Sequence, residues 1–171
     1  PVKVVGDSDK TGTIVTFSPD PEIFTQTDMI YSYDTLASRL RELAYLNKGI
    51  TITLTDRRHK DEKGEFEGET FFSENGLTEF VQFLDGNREP LMKDVIAFEG
   101  DKNGIPVEVA MIYNTSYAEN LHSYVNNINT HEGGTHLTGF RRGLTHTLKK
   151  YADSSGLTDK LKFDISGDDF R

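Results

Sequence analysis

The fold of this chain is decided by residues 126–151, which read NNINTHEGGTHLTGFRRGLTHTLKKY. The first part of this stretch is polar and turn-rich, with Gly133 and Gly134 at its centre. From Thr135 onward the apolar residues recur at steps of three and four, the spacing of one helix face; they are Leu137, Phe140, Leu144, Leu148 and Tyr151. We therefore predict that the two glycines turn the chain, at least one of them at positive φ, and that an amphipathic helix capped by the Thr135 hydroxyl follows. We expect Phe140 and Leu144 to be buried and to hold this helix on a sheet.

The chain before this stretch alternates between helix and strand patterns. Two β-rich runs at 2–5 and 13–17 predict a hairpin, and Pro19 and Pro21 place a boundary near residue 20. Asp34, or alternatively Ser32, can cap a helix that reaches Leu46. Alternating apolar residues at 50–54 predict a half-buried strand, the charged residues 57–68 a solvated loop, and residues 70–72 a returning strand.

Further elements follow the same logic. Apolar spacing over 77–84 predicts a short helix that Gly86 ends, and Asn103-Gly104 predicts the turn of a hairpin between 95–99 and 105–113. Residues 121–125 and 160–165 are predicted strands. Helices interleaved with antiparallel strands indicate an α+β fold, a mainly antiparallel sheet with helices packed on one face.

Composition restricts the classes of function. The 171 residues are 35% hydrophobic and 27% charged, as in a soluble domain with one core. The absence of cysteine excludes disulfides and thiolate metal sites and fits a cytoplasmic location. The net charge of −9 argues against strong DNA binding by this chain alone. No apolar run is long enough to span a membrane and no signal peptide is visible, so we expect no membrane contact.

The run HEGGTH, residues 131–136, superficially resembles the zinc motif H-E-x-x-H. Its histidines are five residues apart, so on a helix they would point in different directions, and the paired glycines disfavour a helix there. No third ligand is signalled, and we predict no metal site. The alternative interpretation is a structural motif formed by Gly133, Gly134, Thr135 and His136, in which a glycine turn opens a helix.

Three further stretches accompany NTHEGGTHLTGFRRGLTHTLKKYA in collinear order: DKTGTIVTFSPDPEIF, LASRLRELAYLNKGITITLTD and SGDDFR. Together they resemble the ATPase subunit of bacterial type IIA DNA topoisomerases, a family comprising gyrase B and its topoisomerase IV counterpart. LNKGI and INTHEGGTH are more similar to the gyrase form. This resemblance implies a transducer domain over 21–171, with the left-handed β-α-β fold of ribosomal-protein domain 2. Residues 1–20 would be the terminal hairpin of the nucleotide-binding domain. Both ends of the sequence look cut, and we expect a piece of a longer protein that stops before the family's Q-T-K loop.

The resemblance also implies an activity, which is ATP-dependent passage of one DNA duplex through another. The cofactors would be ATP and Mg²⁺, bound in the intact protein. Thr13 matches a threonine that lies near the adenine, with an ordinary strand residue as the alternative. The other pocket motifs and the Q-T-K lysine are absent from this sequence, so we expect the chain alone to be inactive and to carry no catalytic residue.

The implied partners are DNA, gyrase A and a second copy of gyrase B. Four basic residues on the long helix are candidates to face DNA, although a solvated helix face is the simpler interpretation of each: Arg141, Arg142, Lys149 and Lys150. Two alternatives to a gyrase-type relay between ATP and DNA stay open, namely the topoisomerase IV counterpart and an isolated nucleic-acid-binding or structural interaction module without a link to ATP.

Overall fold

A computed structural model describes residues 2–25, 30–116, 118–159, 161 and 163–170. Within these ranges the helices are α1 (Tyr33–Leu46), α2 (Leu77–Asp85) and α3 (Thr135–Ser154), with a 3-10 turn at Asp168–Phe170. The strands are β1 (Ile52–Lys60), β2 (Phe66–Phe71), β3 (Ile96–Lys102), β4 (Ile105–Met111), β5 (Tyr124–Val125) and β6 (Ile128–Asn129).

The α+β class is confirmed, and all the strand pairs in the described residues are antiparallel. β1 pairs with β2, β3 with β4, and β5 with β6. The pairs form three separate two-stranded sheets, where the sequence led us to expect one sheet. Each pair joins strands that are neighbours in the chain, so the left-handed β-α-β connection implied by the resemblance remains a prediction.

The core lies between α1 and the β1–β2 hairpin. Ser32 caps α1, since its hydroxyl accepts a hydrogen bond from the Thr35 amide; of the two caps predicted, Ser32 is therefore the correct one. Ala37 and Ala44 face inward and pack with Phe71 of β2, all three less than 7% exposed. Partly buried apolar side chains surround them: Tyr33, Leu40, Ile52 and Leu54. The predicted alternation is confirmed for Ile52 and Leu54 of β1, whereas Ile50 is 51% exposed and precedes the strand.

Helix α2 connects this core to the β3–β4 hairpin. Phe80 on its inner face is 5% exposed and stacks on Tyr45 of α1, with ring centroids 5.2 Å apart. Gly86 ends the helix as predicted, at φ +62. The next hairpin turns at Asn103 and Gly104, both at positive φ, which confirms the turn predicted from the Asn-Gly pair.

The C-terminal 3-10 turn lies against α3 and is attached to the end of β4. The Tyr113 hydroxyl donates a 2.7 Å hydrogen bond to the carbonyl of Phe170. Burial raises the pKa of Tyr113, so this phenol stays protonated and able to donate. The turn itself is closed by Asp169, whose carboxylate accepts hydrogen bonds from the amide and hydroxyl of Ser166.

The hairpin predicted for 2–5 and 13–17 is wrong in this structure. Residues 2–20 are all described and contain no strand. Their apolar side chains are exposed, Val2 and Val5 by more than 90%. A two-stranded hairpin without a surface to pack on is at best marginally stable, and these residues meet none in the described chain.

Two other expectations need correction. The charged loop at 57–68 is shorter than predicted, because β1 continues to Lys60 and β2 already starts at Phe66. Charged side chains are compatible with a strand whose faces meet water, and Asp61 closes the turn by accepting hydrogen bonds from the amides of Lys63 and Glu65. The strand predicted at 160–165 is absent from residues 161 and 163–165; residues 160 and 162 lie outside the described residues.

Candidate functional site

The candidate site begins with the β5–β6 hairpin, the shortest of the three strand pairs in the described residues. The strand predicted for residues 121–125 is confined to β5, and β6 returns after two residues. Asn126 and Asn127 form this turn with φ of +51° and +63°. Asparagine tolerates the left-handed region better than most residues, which explains why the Asn-Asn pair makes a tight turn instead of a loop.

The glycine turn follows directly. Gly133 has φ +75°, which confirms the prediction of a glycine at positive φ, and its amide donates a 2.9 Å hydrogen bond to the Thr130 carbonyl. Gly134 comes next and precedes the first residue of α3. The predicted cap is wrong, because Thr135 already lies inside the helix and Gly134 occupies the cap position without a side-chain hydrogen bond.

His136 is held by the hairpin. Its Nε2 lies 3.2 Å from the Thr130 hydroxyl, and that hydroxyl also donates a 3.0 Å hydrogen bond to the Ser123 carbonyl. Both His136 and His131 are exposed. No group of three or more histidine or acidic side chains able to hold a metal ion occurs in the described residues. The role of His136 in this structure is therefore to connect α3 to Thr130.

Helix α3 presents a half-buried apolar face. Phe140 and Leu144 lie on it with Leu137 and Leu148, whereas Tyr151 is 63% exposed. The prediction that this face packs on a sheet is wrong: among the described elements, the one that α3 approaches is the C-terminal 3-10 turn. Apolar spacing determines which face of a helix turns away from water, but it does not determine which element that face meets.

The four basic candidates on α3 differ in their surroundings. Arg142, Lys149 and Lys150 are exposed. Arg141 is half-buried and forms a 2.7 Å ion pair with Glu119. The three exposed residues are accessible to phosphate, although Lys149 lies near Asp169 and, after the hydrogen bonds from Ser166, helps to lower the pKa of that carboxyl. Arg141 reaches a phosphate only by releasing Glu119.

The described residues form no nucleotide pocket. Thr13 is exposed and lies outside any strand, so the alternative interpretation as an ordinary strand residue is wrong in this structure. A Cβ placed on Gly12 would meet nothing within 4 Å, and the neighbouring Ile14 is 94% exposed. A nucleotide requires several converging polar groups in a concave site, and the surroundings of Thr13 do not fit ATP and Mg²⁺.

One group of contacts was not expected from the sequence. Arg39 and Glu42 of α1 reach the β5–β6 hairpin through hydrogen bonds to Asn127 and Tyr124. The charges in RLREL predict an exposed helix face, and nothing in the local pattern indicates partners more than 80 residues away.

In the described part of the chain, no helix combines the length and apolarity that crossing a bilayer requires.

Comparison with known proteins gives a consistent family. The family model of DNA gyrase B matches residues 76–171. The DNA gyrase B protein of Eisenibacter elegans is 61% identical over 99% of this chain, that of Cytophaga hutchinsonii 60% over 99%, and that of Halalkalibacterium halodurans 45% over 99%. The chain covers 35%, 35% and 26% of these three relatives, so it spans about a third of their length or less.

Solved structures agree with the sequence relatives. The structure of the 43K ATPase domain of Thermus thermophilus gyrase B, in complex with an aminocoumarin, is similar with a TM-score of 0.73 and 31% identity. The similar region spans 88% of this chain and 39% of the Thermus thermophilus chain. The structure of gyrase B from Myxococcus xanthus shares the fold, with a TM-score of 0.69 and 21% identity. The similar region spans 85% of this chain and 42% of that chain.

Proposed function

The chain belongs to the DNA gyrase B family, and we propose that within a longer protein it relays the nucleotide state of an ATPase to the passage of DNA. The observation that carries this proposal is the 61% identity to a gyrase B protein over 99% of the chain. The relatives and solved structures described above are gyrase B proteins, which favours gyrase over topoisomerase IV. No observation on the described residues favours an independent module without a link to ATP.

The proposal assigns residues 1–20 to the end of a nucleotide-binding domain and residues 21–171 to a transducer domain that stops before its Q-T-K loop. The exposed apolar side chains of residues 2–17 support the first assignment, because they suit strands that complete another sheet. In the intact protein Thr13 would lie near the adenine of ATP, which would be bound there with Mg²⁺.

The relay would work by rigid-body movement between domains. Helix α3, fixed at its start by the glycine turn, would transmit the displacement along its length. Its exposed Arg142, Lys149 and Lys150 would then face the DNA duplex, with Arg141 joining them after release of Glu119. DNA, gyrase A and a second copy of gyrase B are the proposed partners, and the cytoplasm the proposed location.

A chimera tests this function. This chain would replace the 170 matching residues of Eisenibacter elegans gyrase B, and the chimera would be combined with the gyrase A of that organism. We expect ATP-dependent supercoiling of relaxed plasmid, with an ATPase rate close to that of the parent. A chimera that folds and hydrolyses ATP but introduces no supercoils would contradict the proposal.

Charge reversal tests the DNA-facing residues in the same chimera. Replacing Arg142, Lys149 and Lys150 by glutamate should lower supercoiling and weaken its dependence on salt, because phosphate contacts release counterions. A matched control replaces the exposed residues Lys63, Lys93 and Lys102, which lie outside α3, by glutamate. If both variants lose supercoiling equally, the loss results from the change in net charge, and a specific DNA-facing surface on α3 is excluded.

A further inference from the structure

The β5–β6 hairpin cannot hold its own position. Each strand has two residues, and a two-stranded hairpin of this size is not stable in water without a surface to pack on. The Cα atoms of α1 stay more than 8 Å from those of β5 and β6. Whatever holds this hairpin against α1 is therefore made by side chains.

Two side chains of α1 make this connection. The Tyr124 hydroxyl donates a hydrogen bond to the Glu42 carboxylate, which also pairs with the Arg39 guanidinium. The second Nη of Arg39 donates a 2.7 Å hydrogen bond to the backbone carbonyl of Asn127, inside the turn. Arg39 therefore bridges a carboxylate on its own helix and the turn of the hairpin.

The helix end adds a third contact. The side-chain amide of Asn127 donates a 2.8 Å hydrogen bond to the side-chain oxygen of Asn47. The side-chain amide of Asn47 in turn donates a 2.7 Å hydrogen bond to the Leu43 carbonyl. The Tyr124 ring also lies 6.2 Å from the buried ring of Phe80. Burial, followed by the hydrogen bond to Glu42, raises the pKa of Tyr124, so the phenol stays protonated and keeps donating at neutral pH.

The hairpin is hydrogen-bonded to the glycine turn, so the location of the one restricts the location of the other. The Thr130 amide donates a 2.8 Å hydrogen bond to the Ser123 carbonyl, which joins the two ends of the hairpin. The Thr130 carbonyl then accepts from the Gly133 amide, and its hydroxyl lies 3.2 Å from His136 Nε2. Hydrogen bonds therefore connect α1 to the hairpin, and the ends of the hairpin to the glycine turn and the first turn of α3.

We infer that Arg39 and Glu42 are positioning residues for the relay, because they set the location of the glycine turn and thereby of α3. This inference rests on the proposed function. Loss of either contact would leave α3 folded but would release its start from α1. Movement of the domain would then reach α3 less completely, so that fewer supercoils are introduced for each ATP hydrolysed.

The test uses the gyrase chimera with Arg39→Gln and, separately, Tyr124→Phe, which removes one hydroxyl and keeps the ring. We expect each variant to retain the ATPase rate and to lose about threefold or more in supercoils per ATP. Lys48→Gln is the matched control. It removes one positive charge beside Asn47 and breaks an ion pair with Glu99 on β3. It should leave the number of supercoils per ATP unchanged. An unchanged ratio in both variants, or parallel losses of both activities, would overturn the inference and leave the proposed function standing.

Amide hydrogen exchange on the chain itself gives a readout without activity. Arg39→Gln should speed exchange at Thr130 and Gly133 by about tenfold. The Gly49 amide, which donates to the Ser73 carbonyl in the core, should not change. Unchanged exchange at Thr130 and Gly133 would overturn positioning by α1, and this holds even if the parent chimera were inactive and the proposed function had failed.

Discussion

The Ser73 hydroxyl donates a 2.7 Å hydrogen bond to the Glu79 carboxylate, and Ser73 has no exposed surface. The same hydroxyl accepts a 2.9 Å hydrogen bond from the Gly76 amide. The other Glu79 oxygen accepts from the backbone and side-chain amides of Asn75. These hydrogen bonds tie Glu79, in the first turn of α2, to the residues that precede the helix, whose cap residue Gly76 makes no side-chain hydrogen bond.

Ser73→Ala should destabilise the chain. It leaves the Gly76 amide without its acceptor in a buried position and Glu79 without one donor. The expected loss is about 1–3 kcal/mol in the free energy of unfolding, the usual cost of an unsatisfied buried group. Urea denaturation measures it, with Ser38→Ala on the exposed side of α1 as the control. Equal midpoints for the two variants would contradict this role of Ser73.

The stability of the chain should fall at acidic pH through Glu79. The hydrogen bond from Ser73, followed by those from Asn75, lowers the pKa of this carboxyl below its ordinary value of 4.5. A carboxyl whose pKa is lowered on folding contributes stability above its unfolded pKa, and that contribution disappears as pH falls through the folded value. Denaturation midpoints measured below pH 5 should therefore decline less steeply for Glu79→Gln than for the parent. Glu62→Gln, in the exposed turn after β1, should follow the parent.

Phe80→Ala and Phe140→Ala should differ in cost. Phe80 is 5% exposed and stacks on Tyr45, so its removal should cost about 3–5 kcal/mol, as in other cores. Phe140 is only half-buried, and we expect about 1–2 kcal/mol from the smaller area that it buries. Thermal denaturation ranks the two variants, and Tyr151→Ala, 63% exposed on the same helix, should change little. The reverse ranking would show that α3 holds the core.

Two glycines separate backbone strain from helix propensity. Gly133→Ala places a Cβ at φ +75°, where its nearest neighbour, Leu137 Cδ2, is at an ordinary 3.5 Å; strain alone should cost about 1–2 kcal/mol. Gly139→Ala adds a methyl group inside α3 with nothing within 4 Å and should stabilise the chain by about 0.5–1 kcal/mol. Chemical denaturation measures the change in the free energy of unfolding, which should have opposite signs for the two variants. If Gly133→Ala stabilised the chain, a left-handed backbone conformation of Gly133 in solution would be excluded.

The chain alone should hydrolyse no ATP, because its described residues form no pocket around Thr13. A coupled ATPase assay on the purified chain, with Eisenibacter elegans gyrase B as the positive control, measures this. Turnover above background that co-purifies with the chain and disappears in Thr13→Ala would contradict the expectation and would assign a nucleotide site to residues 2–20.

Most elements with strong local signals were predicted correctly. The helix caps were the exception, since Ser32 was only the alternative to Asp34 for α1 and Thr135 was wrong for α3. The Gly86 stop and the Asn103-Gly104 turn each depend on the residue that occupies one backbone position. The positive φ of Gly133 belongs to the same class. In each case the preference arises within a few residues, so a sequence read without its structure is sufficient.

Elements that depend on distant partners were not predicted. The β-rich runs before residue 20 have the right composition for strands, yet they meet no surface in the described chain and do not pair. The apolar face of α3 was identified, but its expected partner was wrong. Strand pairing and helix packing gain their free energy from burial against another element, which local spacing does not specify.

The amino-acid sequence alone was sufficient for the family, the α+β class, the Asn103-Gly104 turn and the glycine turn that opens α3. The tertiary structure alone decided that Arg39 and Glu42 of α1 hold the hairpin before those glycines, and that Arg141 pairs with Glu119 while its neighbours stay exposed. The physical reason is the range of the interactions. Backbone conformation is set by each residue and its immediate neighbours, whereas a hydrogen bond or ion pair between residues far apart in the chain exists only after folding has brought the two together.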